Sequence, residues 1–300
     1  MSEIQLPKYP VYVISKGRAS TCLTANFLIE DKVPFYLAVE PQEYEDYRKN
    51  YPDAKILQTP FSNLGQGSIP VRNFCWEHSI KEGHERHWIL DDNIRNVFRR
   101  YRAKRIKCSS GVGFKVIEDF TDRYENIAIA GMNYSMFTPD RMARPPFWHN
   151  VHVYSCLLIM NSITNRWRGR YNEDTDLCLQ VLADGWCTIL TNIFTINKMQ
   201  TMKMKGGNMD SLYQGDGRLK MARALERVWP NVVKVTRRFN RPQHQIRDCW
   251  RKFDTPLKLK KGIDLTSMSD NEYGMKVTEV APIKSKYLKE LLFGKEKDAE

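Results

Sequence analysis

The apolar run Trp88-Ile89-Leu90 stops abruptly at Asp91-Asp92-Asn93. Such a run closed by acids reads as a buried strand whose carboxyl end meets solvent, and in open α/β sheets ligands bind at that edge. Adjacent carboxylates repel, so something positive must offset them. Mg²⁺ or Mn²⁺, which prefer oxygen ligands, would do so and could clamp a diphosphate. Asp and Asn also form ordinary turns after strands, and the hexapeptide alone fits both readings.

Four further groups could carry chemistry. Tyr171-Asn172-Glu173-Asp174-Thr175-Asp176 packs three acids into four positions just before the apolar stretch Leu177 to Leu182. Acids near a helix N-terminus cap it or complement its dipole, and capping accounts for one or two of them. A third invites another role, such as taking a proton from a reacting hydroxyl. Ser15-Lys16-Gly17-Arg18 follows the first strand signal. Gly17 allows a tight turn and close backbone approach, while Arg18 and Ser15 are suited to a phosphate and to a base or ribose. The segment carries neither a Walker lysine pattern nor G-x-G-x-x-G, and it also fits a plain strand-to-helix turn. Gly67 to Asn73 opens a helix at Pro70, with Arg72 and Asn73 about one turn in, where the dipole favours anions. They fit a base or diphosphate clamp and equally a helix surface. His244 is a lone histidine that gains meaning as a neutral ligand if a metal sits at Asp92. His78, His84, His87, His149 and His152 show no ligand periodicity.

These groups need a scaffold, and the chain alternates strand and helix signals. Strands are expected at Tyr9 to Ile14, Phe35 to Val39, Lys55 to Gln58 and His87 to Leu90. Helices are expected at Ser20 to Asp31 (with a Ser or Thr cap), Pro41 to Asn50 and Ile69 to Lys81. Ile94 to Arg102 fits a strand or a short helix. Further on, Phe114 to Tyr124, Asp174 to Ala183 and Arg218 to Val228 read as helices. Ile127 to Ala130, Val151 to Met160, Trp186 to Ile196 and Val232 to Val235, the last of them, read as strands. The rhythm implies an α/β fold with a mostly parallel central sheet, helices on its faces and a nucleotide-sized crevice at its carboxyl edge. Apolar periodicity fades from about Lys258, which suggests a folded domain over 1–257 and a charged extension over 258–300.

The balance of 47 basic and 35 acidic residues gives a net charge of +12, which suits a polyanionic partner such as nucleic acid. Clustering supports this: Arg95, Arg99, Arg100, Arg102, Lys104, Arg105 and Lys107 fall within thirteen positions, and a second basic stretch runs from Arg237 to Lys261. A solvated charged face is the plainer account of such a run. Seven widely spaced cysteines without a Cys-x-x-Cys pair argue against a disulfide framework or zinc knuckle and for a reducing, cytoplasmic setting. Met1 to Pro10 has no signal-like apolar core, and no apolar stretch is long enough to span a bilayer, so no membrane partner is expected.

Taken in order, Ser-Lys-Gly-Arg after the first strand, helix-opening Pro-Val-Arg-Asn, Ile-Leu-Asp-Asp-Asn and Asn-Glu-Asp-Thr-Asp resemble one family. These blocks look like a glycosyltransferase of the GT-A fold, and more narrowly like the TET-associated glycosyltransferases found in phages. The match runs from about Val11 to Trp250, and its specificity lies in order and spacing. The resemblance implies a Rossmann-like GT-A fold, a nucleotide-sugar (UDP-sugar) donor, Mn²⁺ or Mg²⁺, and an acceptor of double-stranded DNA carrying 5-hydroxymethylcytosine or 5-hydroxymethyluracil. Asp91-Asp92-Asn93 stands where GT-A enzymes carry an acidic metal motif but departs from a strict Asp-x-Asp. Asp92 becomes the favoured metal ligand, with His244 as a late second one. Glu173-Asp174 matches the acidic pair near the acceptor, with Asp174 as base. Ser15, Gly17, Arg18, Arg72, Asn73 and Asp91 would bind the donor, with Gly207 and Arg218 from a glycine-rich loop that fits a lid. Arg99, Arg100, Arg102, Lys104 and Arg105 would track the DNA backbone. Direct displacement would invert the anomeric carbon. The residues leave room for a glycosyltransferase with a protein or polysaccharide acceptor, a nucleotidyltransferase, or a non-enzymatic DNA-binding module.

Overall fold

The computed structural model describes residues 6–101, 103–141, 144–199, 206–207, 217–238 and 241–265. Arg102, residues 208–216 of the glycine-rich segment and 266–300 of the expected extension lie outside the described residues. Four parallel strands, β1 (Val11–Ile14), β2 (Tyr36–Val39), β3 (Lys55–Gln58) and β4 (Arg86–Asp91), form one half of the sheet in the order β3-β2-β1-β4. β1 and β4 are almost continuously buried because helices cover both sheet faces. Across β4 come β9 (Cys156–Met160), β7 (Ile127–Tyr134) and β10 (Cys187–Lys198). The hairpin of β5 (Ile94–Tyr101) and β6 (Lys104–Cys108) closes that edge, and β8 (Phe147–His149) pairs with β10. Among the described residues these ten strands make one sheet, in which β5, β8 and β9 run against the rest. This is the expected α/β architecture, a mostly parallel central sheet with helices on its faces.

Helices α1 (Leu23–Glu30), α2 (Tyr44–Asn50) and α4 (Ser110–Thr121) cover one face, burying Phe27, Leu28, Tyr47 and Phe114 against Val13, Trp88 and Leu158. α3 (Ile69–Lys81) and α5 (Glu173–Ala183) cover the other, where Trp76, Leu177 and Val181 meet Tyr12, Ile89 and Leu157. The alternation of β1 explains this division, since Val11 and Val13 face one layer while Tyr12 and Ile14 face the other. A third cluster packs α6 (Gly217–Val228) and the hairpin of β11 (Val233–Arg238) and β12 (Arg241–Ile246) against α5 through Leu179, Leu225, Val233 and Ile246.

One open reading is decided and two local expectations change. Ile94 to Tyr101 is a strand, paired with both β6 and β10. β11 is not the last strand, because β12 pairs with it. The N-cap of α1 is Cys22, without a side-chain cap. Thr24 works elsewhere: its Oγ1 donates to the Asp91 carbonyl at 2.6 Å and accepts the Ile94 N–H at 3.0 Å, pinning the acidic turn. At the start of the expected extension, the Glu125 N–H donates to the Lys258 carbonyl and the Lys260 N–H to that of Arg123. No helix among the described residues is long and apolar enough to cross a membrane.

Candidate active site

The sheet order gathers the site. β1 and β4 are parallel and in register at Ile14 and Asp91, so Ser15 and Asp92 emerge side by side. β9 is antiparallel to β4, with Cys156 opposite Leu90, so Tyr154 and Ser155 approach the same edge from the start of a strand. β7 ends there at Tyr134, and β10 brings Lys198 opposite Ile94. The N-terminal turns of α3 and α5 close the sides, and β12 adds Gln243 and His244. The resulting cleft has a volume of about 920 Å³.

Asp91 lies on its floor, where its Oδ1 accepts from Arg72 Nη2 at 2.7 Å and its Oδ2 from Lys198 Nζ at 2.6 Å. Burial pushes this carboxyl toward its neutral form, but Lys198 and Arg72 outweigh it and hold the pKa well below the usual range. Lys198 also donates to Ser155 Oγ at 2.5 Å and Tyr134 Oη at 3.2 Å, so its three protons are matched by three acceptors. Asp92 is turned inward and 5 % exposed. Its Oδ1 pairs with Arg18 Nη1, and its Oδ2 accepts from Ser15 Oγ at 2.7 Å. Ser15 Oγ in turn lies 2.6 Å from Tyr47 Oη.

Glu173 and Asp174 face the cleft from the first turn of α5. Glu173 Oε1 accepts from Ser68 Oγ at 2.9 Å. Asp174 Oδ2 accepts the Ser155 N–H at 3.1 Å, while its buried Oδ1 has no hydrogen-bond partner. Arg72 Nη1, 3.7 Å from that oxygen, is equally without one. Burial pushes the Asp174 carboxyl up to about 7 against the opposing pull of Arg72, with Glu173 and Asp91 adding to the rise. The third acid of the motif is structural: Asp176 accepts from Arg168 Nε at 2.9 Å, Gln180 Nε2 at 2.8 Å and Trp229 Nε1 at 2.6 Å.

Several expected donor residues have other partners. Asn73 makes a double hydrogen bond with the Trp167 backbone and is not among the cleft-lining residues. Gly17 sits behind the cleft wall at φ 65°, where Gly206 presses on it; a Cβ at Gly206 would fall 2.3 Å from the Gly17 carbonyl oxygen. Gly207 lines the cleft, and its N–H donates to the Lys16 carbonyl at 2.8 Å. Arg218 lies in the first turn of α6 and is not among the cleft-lining residues. Arg99, Arg100, Lys104 and Arg105 lie on the β5–β6 hairpin, away from the cleft lining, and Arg105 pairs with Asp140 at 3.1 Å. Lys198, Tyr134, Tyr154, Ser155 and His152 line the cleft without a sequence motif having marked them. His152 is stacked near Trp250, and burial, with His244 adding to it, holds its pKa down at about 3.

The donor set does not fit a divalent metal as the side chains lie. Both oxygens of Asp92 and both of Asp91 are already engaged by cations or a hydroxyl. Among the described residues no three His, Cys, Asp or Glu side chains come together to hold an ion. His244 lines the cleft, and burial lowers its pKa.

Comparison with known proteins adds to this geometry. Among curated proteins, none is detectably similar. Two solved structures are similar to this chain at a low level. One, described as a nucleotide-diphospho-sugar transferase from Desulfovibrio desulfuricans, is 8% identical with a TM-score of 0.35, over 61% of this chain and 79% of that one. The other, mannose-1-phosphate geranyltransferase from Thermus thermophilus, is 13% identical with a TM-score of 0.28, over 64% of this chain and 57% of that one. The family described as TET-Associated Glycosyltransferase matches residues 9–207, which takes in Ser15 to Arg18, Arg72, Asp91, Asp92, Asp174 and Lys198. This chain belongs to the TET-associated glycosyltransferase family.

Proposed function

We propose that this cleft moves a sugar from a UDP-sugar to the hydroxymethyl group of a 5-hydroxymethylpyrimidine in DNA, with inversion at the anomeric carbon. The observation that carries the reading is the buried, unbonded Oδ1 of Asp174, on a carboxyl that burial pushes up to about 7 at the side of a nucleotide-sized cleft. Asp174 takes the acceptor's hydroxyl proton, and that oxygen bonds to the anomeric carbon. The bond to the diphosphate breaks, and its electron pair leaves on the nucleoside diphosphate. The unmatched N–H of Arg72 Nη1 points to a phosphate oxygen as its partner. Arg170 adds positive charge to the lining, where Lys16 is paired with Glu40 at 2.6 Å. The net charge of +12 and the basic β5–β6 hairpin support a polyanionic acceptor.

The direct test is to incubate the protein with hydroxymethylated and plain DNA and a panel of UDP-sugars, digest to nucleosides and weigh them. A hexose-sized gain on the hydroxymethylated nucleoside alone is expected. No gain, together with no salt-dependent DNA binding, would move the acceptor to protein or polysaccharide; release of pyrophosphate would indicate nucleotidyl transfer.

Because Arg18 and Ser15 occupy Asp92, EDTA is expected to leave the affinity for UDP unchanged in a calorimetric titration. A strict Mn²⁺ requirement for UDP binding would mean that the Arg18–Asp92 pair opens to admit the ion.

A further inference from the structure

A stack of aromatic rings leads out of the cleft. Tyr154 meets Tyr134 edge-on, with centroids 4.3 Å apart and planes at 61°. Tyr134 stacks on Phe137 at 5.7 Å and 24°. Phe137 lines the cleft, and 52 % of it is exposed. Its neighbour Met136 is 49 % exposed. Both sit on a short 3-10 turn, Ser135–Phe137, immediately after β7. Two adjacent half-exposed apolar side chains beside the cleft offer surface that a bound ligand would cover.

The inner end of the stack reaches the chemistry. Tyr134 Oη is 2.6 Å from Ser155 Oγ, and the Ser155 N–H donates to the candidate base Asp174. The outer end reaches the basic hairpin. Arg100 Nη1 donates to the carbonyls of Thr138 and Pro139, just after Phe137. The Arg105 N–H and Nε hold Asp140 at 3.0 and 3.1 Å, and the Arg141 N–H donates to the Ala103 carbonyl at 2.8 Å. One continuous structure therefore joins the base, an open ring face and a strand pair carrying exposed Lys104 and Arg105.

A planar ring beside positive charge suits a nucleobase, whose π-face stacks while its phosphates meet the cations. We infer that Phe137 is the stacking platform for the acceptor nucleotide, extending the Tyr134–Phe137 stack with an unstacked base of a polynucleotide held by the β5–β6 hairpin. The inference rests on the DNA-acceptor reading above. It adds that the target base leaves the duplex, since a base within the double helix already has both faces covered.

The test compares Phe137→Ala, Phe137→Leu and Phe137→Trp with wild type on hydroxymethylated DNA. Affinity for UDP and thermal unfolding serve as checks on folding. Losing one base stack should lower kcat/KM for DNA about 5- to 150-fold in the Ala variant. Leu should lose nearly as much, since it is apolar without a π-face, and Trp should retain wild-type values. A 2-aminopurine placed beside the target base should brighten on binding wild type and less on binding Ala. Equal kcat/KM in wild type and Ala, with sugar transfer to DNA intact, would overturn the stacking role and leave the DNA reading standing. Full rescue by Leu would overturn it too. If wild type transfers sugar to no DNA and gives no 2-aminopurine response, the acceptor reading falls and takes the inference with it.

Discussion

Asp174→Asn is expected to lower sugar transfer by about 10²- to 10⁴-fold, the range spanned by general-base catalysis, while leaving donor binding in place. The amide keeps an oxygen for the Ser155 N–H but cannot accept a proton. In wild type the rate should rise with pH through about 7 and then level off, because only the ionised carboxylate is a base. The variant should lose that limb. Stability should move the other way. The folded state holds the Asp174 proton up to about pH 7, whereas an ordinary aspartate loses it near 3.8. Raising the pH across that window therefore destabilises the native state, and ionised Asp174 is a standing cost above it. Asparagine removes the cost, so the variant should melt higher than wild type at pH 8 and no higher at pH 4. Single-turnover kinetics and melting curves at the two pH values check both halves. A pH-independent rate with wild-type turnover in the variant would remove Asp174 from the chemistry.

Arg72→Met is expected to give the largest loss of stability. The guanidinium is 2 % exposed, bonds Asp91 at 2.7 Å, lies 3.8 Å from Glu173 and 3.7 Å from Asp174, and sits over the Trp167 ring at 4.6 Å. Removing one partner of a buried ion pair typically costs about 3–5 kcal/mol, because the abandoned charge stays buried. Here three carboxylates lose the cation that lies between them. Arg72→Lys should recover only part of this, since one ammonium cannot reproduce a planar fork reaching two sides. Urea unfolding at pH 7 measures the loss. Pairing Arg72→Met with Asp174→Asn should cost less than the sum of the two, because one abandoned charge is then gone.

Much of the first half of the fold was legible, because β1 to β4 and α3 carry short apolar runs separated by polar turns. Asp91, Glu173 and Asp174 could be picked out because acids at a strand end and a helix start are locally conspicuous. Lys198, Tyr134, Tyr154 and Ser155 could not, since they meet only through the order β4-β9-β7-β10, which no local spacing encodes. Arg72 and Asn73 show another limit. Successive residues on a helix point about 100° apart, so both cannot face one cleft, and Asn73 turns to Trp167. The stretch from Ile94 fitted helix or strand because Ile94, Val97, Phe98 and Tyr101 have helical spacing while β-branched and aromatic residue types favour a strand; pairing with Thr195 and Ile196 of β10 decided it. The role of Arg18 was only half visible. Its charge suggested a phosphate, while its pairing with Asp92 and its Nη2 bond to the Gly206 carbonyl at 3.0 Å depend on segments far apart in the chain.

The reversed course of β9 gives the site something that a wholly parallel sheet would withhold. Strands finishing at a common rim offer their last carbonyls there, which are hydrogen-bond acceptors. A strand starting at that rim offers amide hydrogens. Ser155 accordingly turns an N–H toward Asp174, and its carbonyl takes the Asp91 N–H at 2.9 Å. The polarity of one inverted strand thus anchors one oxygen of the carboxylate and leaves the other free for an incoming proton.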